Sequence, residues 1–464
     1  MSQPSSSSAG DRPAAPRAVL STADAIAIIV GIVIGAGIFG VPSIVAGNVA
    51  SEQMMLVVWI VGGVVSLIGA LCYCELATAF PNAGGDYHFL TRAYGSKLSF
   101  LYAWARVTVI TTASIAALAF VFGDYIARIL PLGELGSPIY AALLVVVLTA
   151  INIAGVRRGA ITQNWLTAAL VAGLLLVILA GLFLVAPAAA PAPAASTPDG
   201  GLPWHAGIGL AMVLVLFTYG GWNEAAYISA EVKDARRNIV RALVFGTLII
   251  VVLYLLVNVA YLRGLGMDGM AKSQAVAADL LALAWGGTGA VAISILVAVA
   301  AATSANATII AGSRTNYALG RDWPLLGFLG RWNQRTGTPV NALVAQGCIA
   351  LALVVFGAVT PKDKGLQTMI EVTAPVFWFF FLLAGASLIV LRIREPGAER
   401  PFRVPLYPVT PIVFCLTSAY LLYSSLAYTG RGAMVGVAVV AVGVVVLAIN
   451  LRYRGGRVAS RQSA

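Results

Sequence analysis

Runs of apolar residues broken by short polar gaps recur along almost the whole chain. A bilayer core about 30 Å thick requires roughly 20 apolar residues per helix. Twelve runs meet that length, beginning near Ala23, Met54, Lys97, Ile139, Ile161, Ile208, Ile239, Thr288, Val340, Thr368, Val409 and Ala433. Each predicts a membrane span, so the pattern predicts an all-α membrane protein of about twelve helices. Residues 1–20, rich in Ser, Pro and Ala, are too poor in apolar side chains to order themselves. With no apolar core ahead of the first span, they do not read as a signal peptide.

Two spans carry glycines at mid-membrane depth. The first holds Gly35, Gly37 and Gly40 ahead of Pro42, and the sixth holds Gly220 and Gly221 between Tyr219 and Trp222. Glycine weakens a helix, and open backbone inside a membrane persists only where protein or a water-filled cavity satisfies it. Close packing through small residues is the alternative. Two clusters five spans apart favour breaks, and they predict an inverted repeat of five plus five helices followed by two accessory ones. The repeats fall at about residues 23–186 and 205–393 and the accessory helices at about 409–451. At the first break the N-terminal end of the second half-helix, near Ala36, Gly37 and Ile38, presents backbone N–H groups suited to a carboxylate. At the sixth, the C-terminal end of the first half, near Leu216 and Phe217, presents carbonyls suited to an ammonium. Together the two ends suit an α-amino acid.

Composition narrows the class. The 464 residues are 60% hydrophobic and 10% charged, against about 25% charged in a soluble domain, so water is not the main solvent. The net charge of +11 does not mark a nucleic-acid binder, because the basic residues sit in short gaps between spans rather than on one face. Of 29 Lys and Arg residues, Arg128, Arg263, Lys272, Lys362, Lys364 and Arg431 fall in alternate gaps and Arg106 lies inside the third span; the other 22 share the side of the N-terminus. The positive-inside rule then puts both termini in the cytoplasm, in an inner (cytoplasmic) membrane. Residues 21–452 read as one membrane domain, residues 453–464 as a basic cytoplasmic tail, and the Pro/Ala-rich residues 186–201 as an extended outer spacer. Cys72, Cys74, Cys348 and Cys415 lie in apolar stretches without metal-ligand spacing to His88 or His205. They read as small core residues, and neither metal nor cofactor is expected.

These residues also carry a resemblance. Gly35 to Phe39 with Pro42 resembles the signature of the amino acid-polyamine-organocation superfamily, and Phe217-x-Tyr219-Gly220-Gly221-Trp222-Asn223 is similar to its L-type amino acid transporter branch. Tyr73 to Ala77 with Phe80 to Tyr87 resembles the family's exit from span two, Ser313 and Arg314 with Tyr317 to Asp322 its exit from span eight, and Arg400 to Pro405 its loop after span ten. The resemblance covers roughly residues 20 to 430. It implies the leucine-transporter fold with helices 1 and 6 broken and secondary transport of amino acids by alternating access; an accessory subunit is not implied. The implied substrate site comprises Val33, Ile34, Ala36, Gly37, Ile38, Phe217, Thr218, Tyr219, Gly220 and Asn223. Within it the amides of Ala36 and Gly37 take the carboxylate, the carbonyls of Val33, Phe217 and Gly220 the amine, and Phe217 serves as an aromatic gate. Asn223 is either pocket wall or half-helix cap.

Two departures bear on coupling. Where L-type relatives carry a lysine in span five, Leu170 stands here, which removes the obvious titratable group. Glu224 follows Asn223 at membrane depth, where a carboxyl needs a task or a partner. It binds a cationic substrate, carries a proton, or complements the dipole of the second half-helix. Thr303 and Ser304 in span eight resemble hydroxyls that complete a sodium site, although short hydroxyls in spans more often bond their own backbone. Arg106 is expected to pair with Glu75 or to face a cytoplasmic vestibule. Exchange of neutral amino acids is the favoured reading. Proton or sodium symport, antiport of cationic amino acids or polyamines, and amino acid sensing stand as alternatives. An enzyme is disfavoured, since no buried acid–base cluster or Ser–His pairing is in evidence along the chain.

Overall fold

The computed structural model describes residues 21–81, 85–154, 159–188, 204–224, 232–333, 335–336, 338–359, 365–427 and 431–462. The N-terminal tail, most of the 186–201 spacer and the side chains of Ala36, Glu224 and residues 163–167 lie outside the described set. The first span is α1 (Thr22–Val33), a 3₁₀ turn (Ala36–Phe39) and α2 (Val41–Ala46). Span two is α3 (Glu52–Ala79), followed by the short α4 (Asp86–Tyr94). Span three is α5 (Ser96–Ala105) and α6 (Thr111–Ile129), joined by a π turn (Arg106–Ile110). Spans four to six are α7 (Gly136–Ala154), α8 (Gly159–Leu179) and α9 (Trp204–Thr218). Spans seven to twelve are α10 (Ala235–Lys272), α11 (Val276–Asp322), α12 (Val340–Ala358), α13 (Gly365–Arg394), α14 (Val409–Ala427) and α15 (Arg431–Gln462). Among the described residues nine helices are long and apolar enough to cross a membrane, and two more, Ala168–Leu184 and Gly207–Thr218, are shorter and apolar. With the broken first helix they fill the twelve expected positions. The last helix runs on to Gln462, so the basic stretch is helical in its backbone.

Local chemistry sets several boundaries. Ser51 caps α3 by accepting from the Met54 N–H at 3.2 Å, and Glu52 complements the dipole in the first turn. The same helix stops at Ala79, two residues before Pro81. Pro42 restarts helix in the first turn of α2, where its missing N–H costs nothing. A break at Trp285 and Gly286 (φ 63) separates residues 276–284 of α11 from its long membrane portion.

Packing divides the spans into two groups. α10 lies against α1 and α3, and α3 against α9; separately, α6 packs on α7, α11 and α12, and α7 on α12. Exchanging each span for the one five later maps these contacts onto themselves: α8 packs on α11 as α13 packs on α6, and α3 packs on α9 as α10 packs on α1. That is the five-plus-five inverted repeat of the leucine-transporter type.

At the end bearing the N-terminal tail, the tail face, ion pairs tie the helices together. Buried Glu75 of α3 accepts two bonds from Arg392 of α13, at 2.7 and 2.5 Å, and one from the Val404 N–H at 2.7 Å. Arg400 stands 3.4 Å away, and the Arg392 guanidinium lies 3.7 Å from the Tyr407 ring centroid. Arg92 of α4 bonds Glu395 through two nitrogens, and those bonds hold the Glu395 carboxyl below its ordinary range.

Candidate functional site

Both glycine clusters interrupt helix, for different reasons. α1 stops at Val33 because Gly35 is extended (φ −96, ψ −169). α9 stops at Thr218 because Gly221 takes φ 113, a conformation open to glycine and few others. A Cβ on Gly220 would stand 2.9 Å from the Phe217 carbonyl oxygen, so that position too accepts only glycine. The breaks face one another: a Cβ on Gly37 would meet the Thr218 side chain at 3.4 Å.

Between the breaks and the α6–α11 layer lies a cavity of about 350 Å³. Val33, Gly35, Gly37, Phe217, Thr218, Gly220, Gly221 and Asn223 form one wall. Ile110, Thr111, Ser114 and Thr308 lie opposite, and Phe377, Phe380 and Phe381 of α13 close a third side. Phe217 and Phe377 have ring centroids 6.2 Å apart and Phe377 and Phe381 4.4 Å, an edge-to-face and tilted set that presents an apolar aromatic surface. The charged side chains among the lining residues are Asp86 and Arg106. Arg106 donates to the Tyr102 hydroxyl at 3.1 Å, which donates to Asp86 Oδ2 at 3.1 Å. Anion and cation are thus joined through one tyrosine, and the π turn that starts at Arg106 aims Arg106 and Ile110 at the cavity.

One side chain spans both breaks. The hydroxyl of Tyr254 on α10, fully buried, donates to the Val33 carbonyl at 2.8 Å and lies 3.4 Å from the Thr218 carbonyl. The Val33 carbonyl also accepts the Gly35 N–H at 2.7 Å. Two carbonyls at the breaks, those of Val33 and Thr218, are in this way satisfied by protein, as the membrane interior demands.

Of the residues expected at the site, Val33, Gly37, Phe217, Thr218, Gly220 and Asn223 line the cavity. The side chains of Ile34 and Ile38 do not: both are fully buried in the core. Tyr219 also turns away, its hydroxyl donating to the Trp59 carbonyl at 3.2 Å and its ring packed against Trp59 and Tyr254. One residue along a helix end rotates the side chain about 100° from Thr218. Thr303 bonds its own helix at Val299, while Ser304 Oγ lies 4.0 Å from where a Cβ on Gly35 would stand. Neither lines the cavity, whereas Thr308 one turn on does. Arg106 does not pair with Glu75, whose oxygens are taken by Arg392 and the Val404 amide; it stands on the cavity wall instead. The side chains of Glu224 and Ala36 lie outside the described residues. Leu170 is buried among apolar neighbours of α8 and α11.

Sequence reasoning missed the Asp86–Tyr102–Arg106 chain, the α13 aromatics and Tyr254. Asp86 and the phenylalanine run after Pro375 were visible signals; nothing local distinguishes Tyr254 from any membrane tyrosine.

Comparison with known proteins agrees with this geometry. The family model described as amino acid permease matches residues 20–449. The b(0,+)-type amino acid transporter 1 of Rattus norvegicus is 30% identical over 406 residues, covering 86% of this chain and 80% of the relative. Its counterpart in Homo sapiens is 30% identical over 405 residues, covering 85% and 80%. Large neutral amino acids transporter small subunit 2 of Mus musculus is 29% identical over 445 residues, covering 92% and 80%. With two facing helix breaks lining one cavity, and a family match running from the first span to the last, the chain belongs to the amino acid permease family.

Proposed function

We propose that this multi-pass membrane protein, an amino acid transporter rather than an enzyme, exchanges neutral amino acids across an inner (cytoplasmic) membrane with both termini inside. The observation that carries the substrate class is the cavity wall. Two half-helix ends meet there with backbone polarity suited to a zwitterion, the aromatic side is apolar, and Asp86 and Arg106 balance one another. Among the described lining residues a cationic or anionic side chain finds no unbalanced charge. A relative named for large neutral amino acid transport supports the same class. Leu170 in span five supports exchange, because it leaves no lysine there to titrate. The bias of 22 Lys and Arg residues to the tail face supports the orientation.

One relative's name marks it as a small subunit. All four cysteines lie within helices α3, α12 and α14 and none in a loop, which argues against a disulfide to any corresponding partner. Detergent-purified protein reconstituted in vesicles tests the reading. Labelled leucine enters vesicles preloaded with unlabelled neutral amino acids, and empty vesicles stay near background with or without sodium and pH gradients. Sustained, proton-driven accumulation in empty vesicles that is lost in Glu224→Gln would replace exchange with symport through that carboxyl.

A further inference from the structure

At the far face, opposite the tail, the cavity is shut: Phe39, Val41, Val121 and Tyr125 are all at most 2% exposed. Two side chains one turn apart on α6 make the closure. The Tyr125 hydroxyl donates to the Phe39 carbonyl at 2.9 Å, at the last residue of the unwound segment of span one. Arg128, three residues on and so on the same helix face, pairs with Asp279. Asp279 also accepts from Ser273, whose hydroxyl oxygen in turn accepts the Ala275 N–H at 3.2 Å. Asp279 belongs to residues 276–284, the short stretch cut off by the break at Gly286. That stretch is laid into the molecule, with Val276, Ala277, Ala278 and Leu280 fully buried. Leu280 fills the space over Gly181 and Gly264, where added Cβ atoms would meet it at 2.9 and 2.1 Å.

The two bonds differ from the other tyrosine contact at the breaks. Tyr254 sits on α10, which packs with α1, so its bond to Val33 stays inside one group of helices. Tyr125 and Arg128 sit on α6, which packs with α7, α11 and α12: Tyr125 reaches across to the broken span, while Arg128 pins the covering stretch of α11, within its own group, whose Leu280 packs over Gly264 of α10. Rotation of one group against the other must part the Tyr125–Phe39 bond whenever the far side opens. We propose that Tyr125 and the Arg128–Asp279 pair are positioning residues that hold the far side closed and set how the transporter divides its time between the two facings. The inference rests on alternating access and on the orientation proposed above.

Losing one neutral buried hydrogen bond shifts such an equilibrium by about two- to tenfold. In the two-state description, apparent affinity on a given side is reduced by the fraction of molecules open to it. Tyr125→Phe keeps the ring and removes the bond. Apparent affinity for leucine presented at the far face therefore tightens about two- to tenfold, while affinity at the tail face stays level or weakens. A Val41→Cys reporter in the same background reacts faster by a similar factor with a membrane-impermeant maleimide added at the far face. Asp279→Asn gives the same sidedness independently, and Arg128→Asp with Asp279→Arg restores the original ratio. Unchanged two-sided affinities and unchanged labelling in both Tyr125→Phe and Asp279→Asn would overturn the proposal. A shift of equal size on the opposite membrane side would keep the clasp and reverse the orientation instead.

Discussion

Gly37 offers the sharpest test of the site, because it faces Thr218 across the two breaks. A Cβ there meets Thr218 Cγ2 at 3.4 Å and Oγ1 at 3.7 Å, ordinary contact distances. Gly37→Ala is therefore expected to insert, fold and transport with an apparent affinity within about threefold of the parent, a difference below 1 kcal/mol. Valine is different. Its γ carbons lie one bond of about 1.5 Å beyond Cβ and fill two of the three staggered positions. At least one must point either at Thr218, well inside contact distance, or into the cavity between the breaks. Overpacking of this kind costs about 1–3 kcal/mol. The same methyl occupies the approach of a carboxylate to the backbone N–H groups, and hydrogen bonds to a charged group are worth about 1.5–3 kcal/mol each. Loss of one such bond weakens apparent affinity about ten- to a hundredfold. Exchange into preloaded vesicles measures that affinity, and size-exclusion profiles of the purified variants confirm that both are inserted and monodisperse. An alanine variant and a valine variant that both transport like the parent would remove the carboxylate site from span one.

Phe217→Ala is expected to slow exchange more than it weakens binding measured in detergent, because the Phe217–Phe377 contact matters most once the substrate is enclosed; the opposite order would end its role as a gate. Tyr254→Phe leaves the Val33 carbonyl with only the Gly35 N–H, and should reduce exchange through a loss of about 0.5–1.5 kcal/mol in holding the two breaks together; exchange unchanged under saturating and subsaturating substrate would show the hydroxyl to be dispensable. Glu75→Gln strips the charge from a side chain only 2% exposed and faced by Arg392 and Arg400. Breaking such a buried pair costs about 3–5 kcal/mol, read as a fall in the thermal unfolding midpoint in detergent, and an unchanged midpoint would mean that water reaches the network.

The spans, their number and the two interruptions were legible in the residues themselves. Membrane insertion depends on apolar length, and unwinding depends on local backbone preference, so Gly35, Gly220 and Gly221 announce their effect within a few positions of the chain. The match of Val33, Gly37, Phe217, Thr218, Gly220 and Asn223 to the cavity wall follows from the same locality, because these residues are the interruptions. Which side chains face inward from a given stretch was a different matter. Ile34 and Ile38 lie within three positions of Gly37 and are buried in the core, and Tyr219 follows Thr218 yet packs on Trp59. Rotation of successive residues about an irregular backbone is decided by what each finds to pack against, and those neighbours arrive from α3 and α10. The partners of Glu75 come from Arg392 and Val404, more than 300 positions away, and Tyr254 and Tyr125 find carbonyls freed by breaks in a different span. Apolar length and glycine content are properties of a segment, whereas a hydrogen bond between distant segments exists only once the helices have packed, and for that reason the clasp and the charge balance of the cavity belong to the tertiary structure alone.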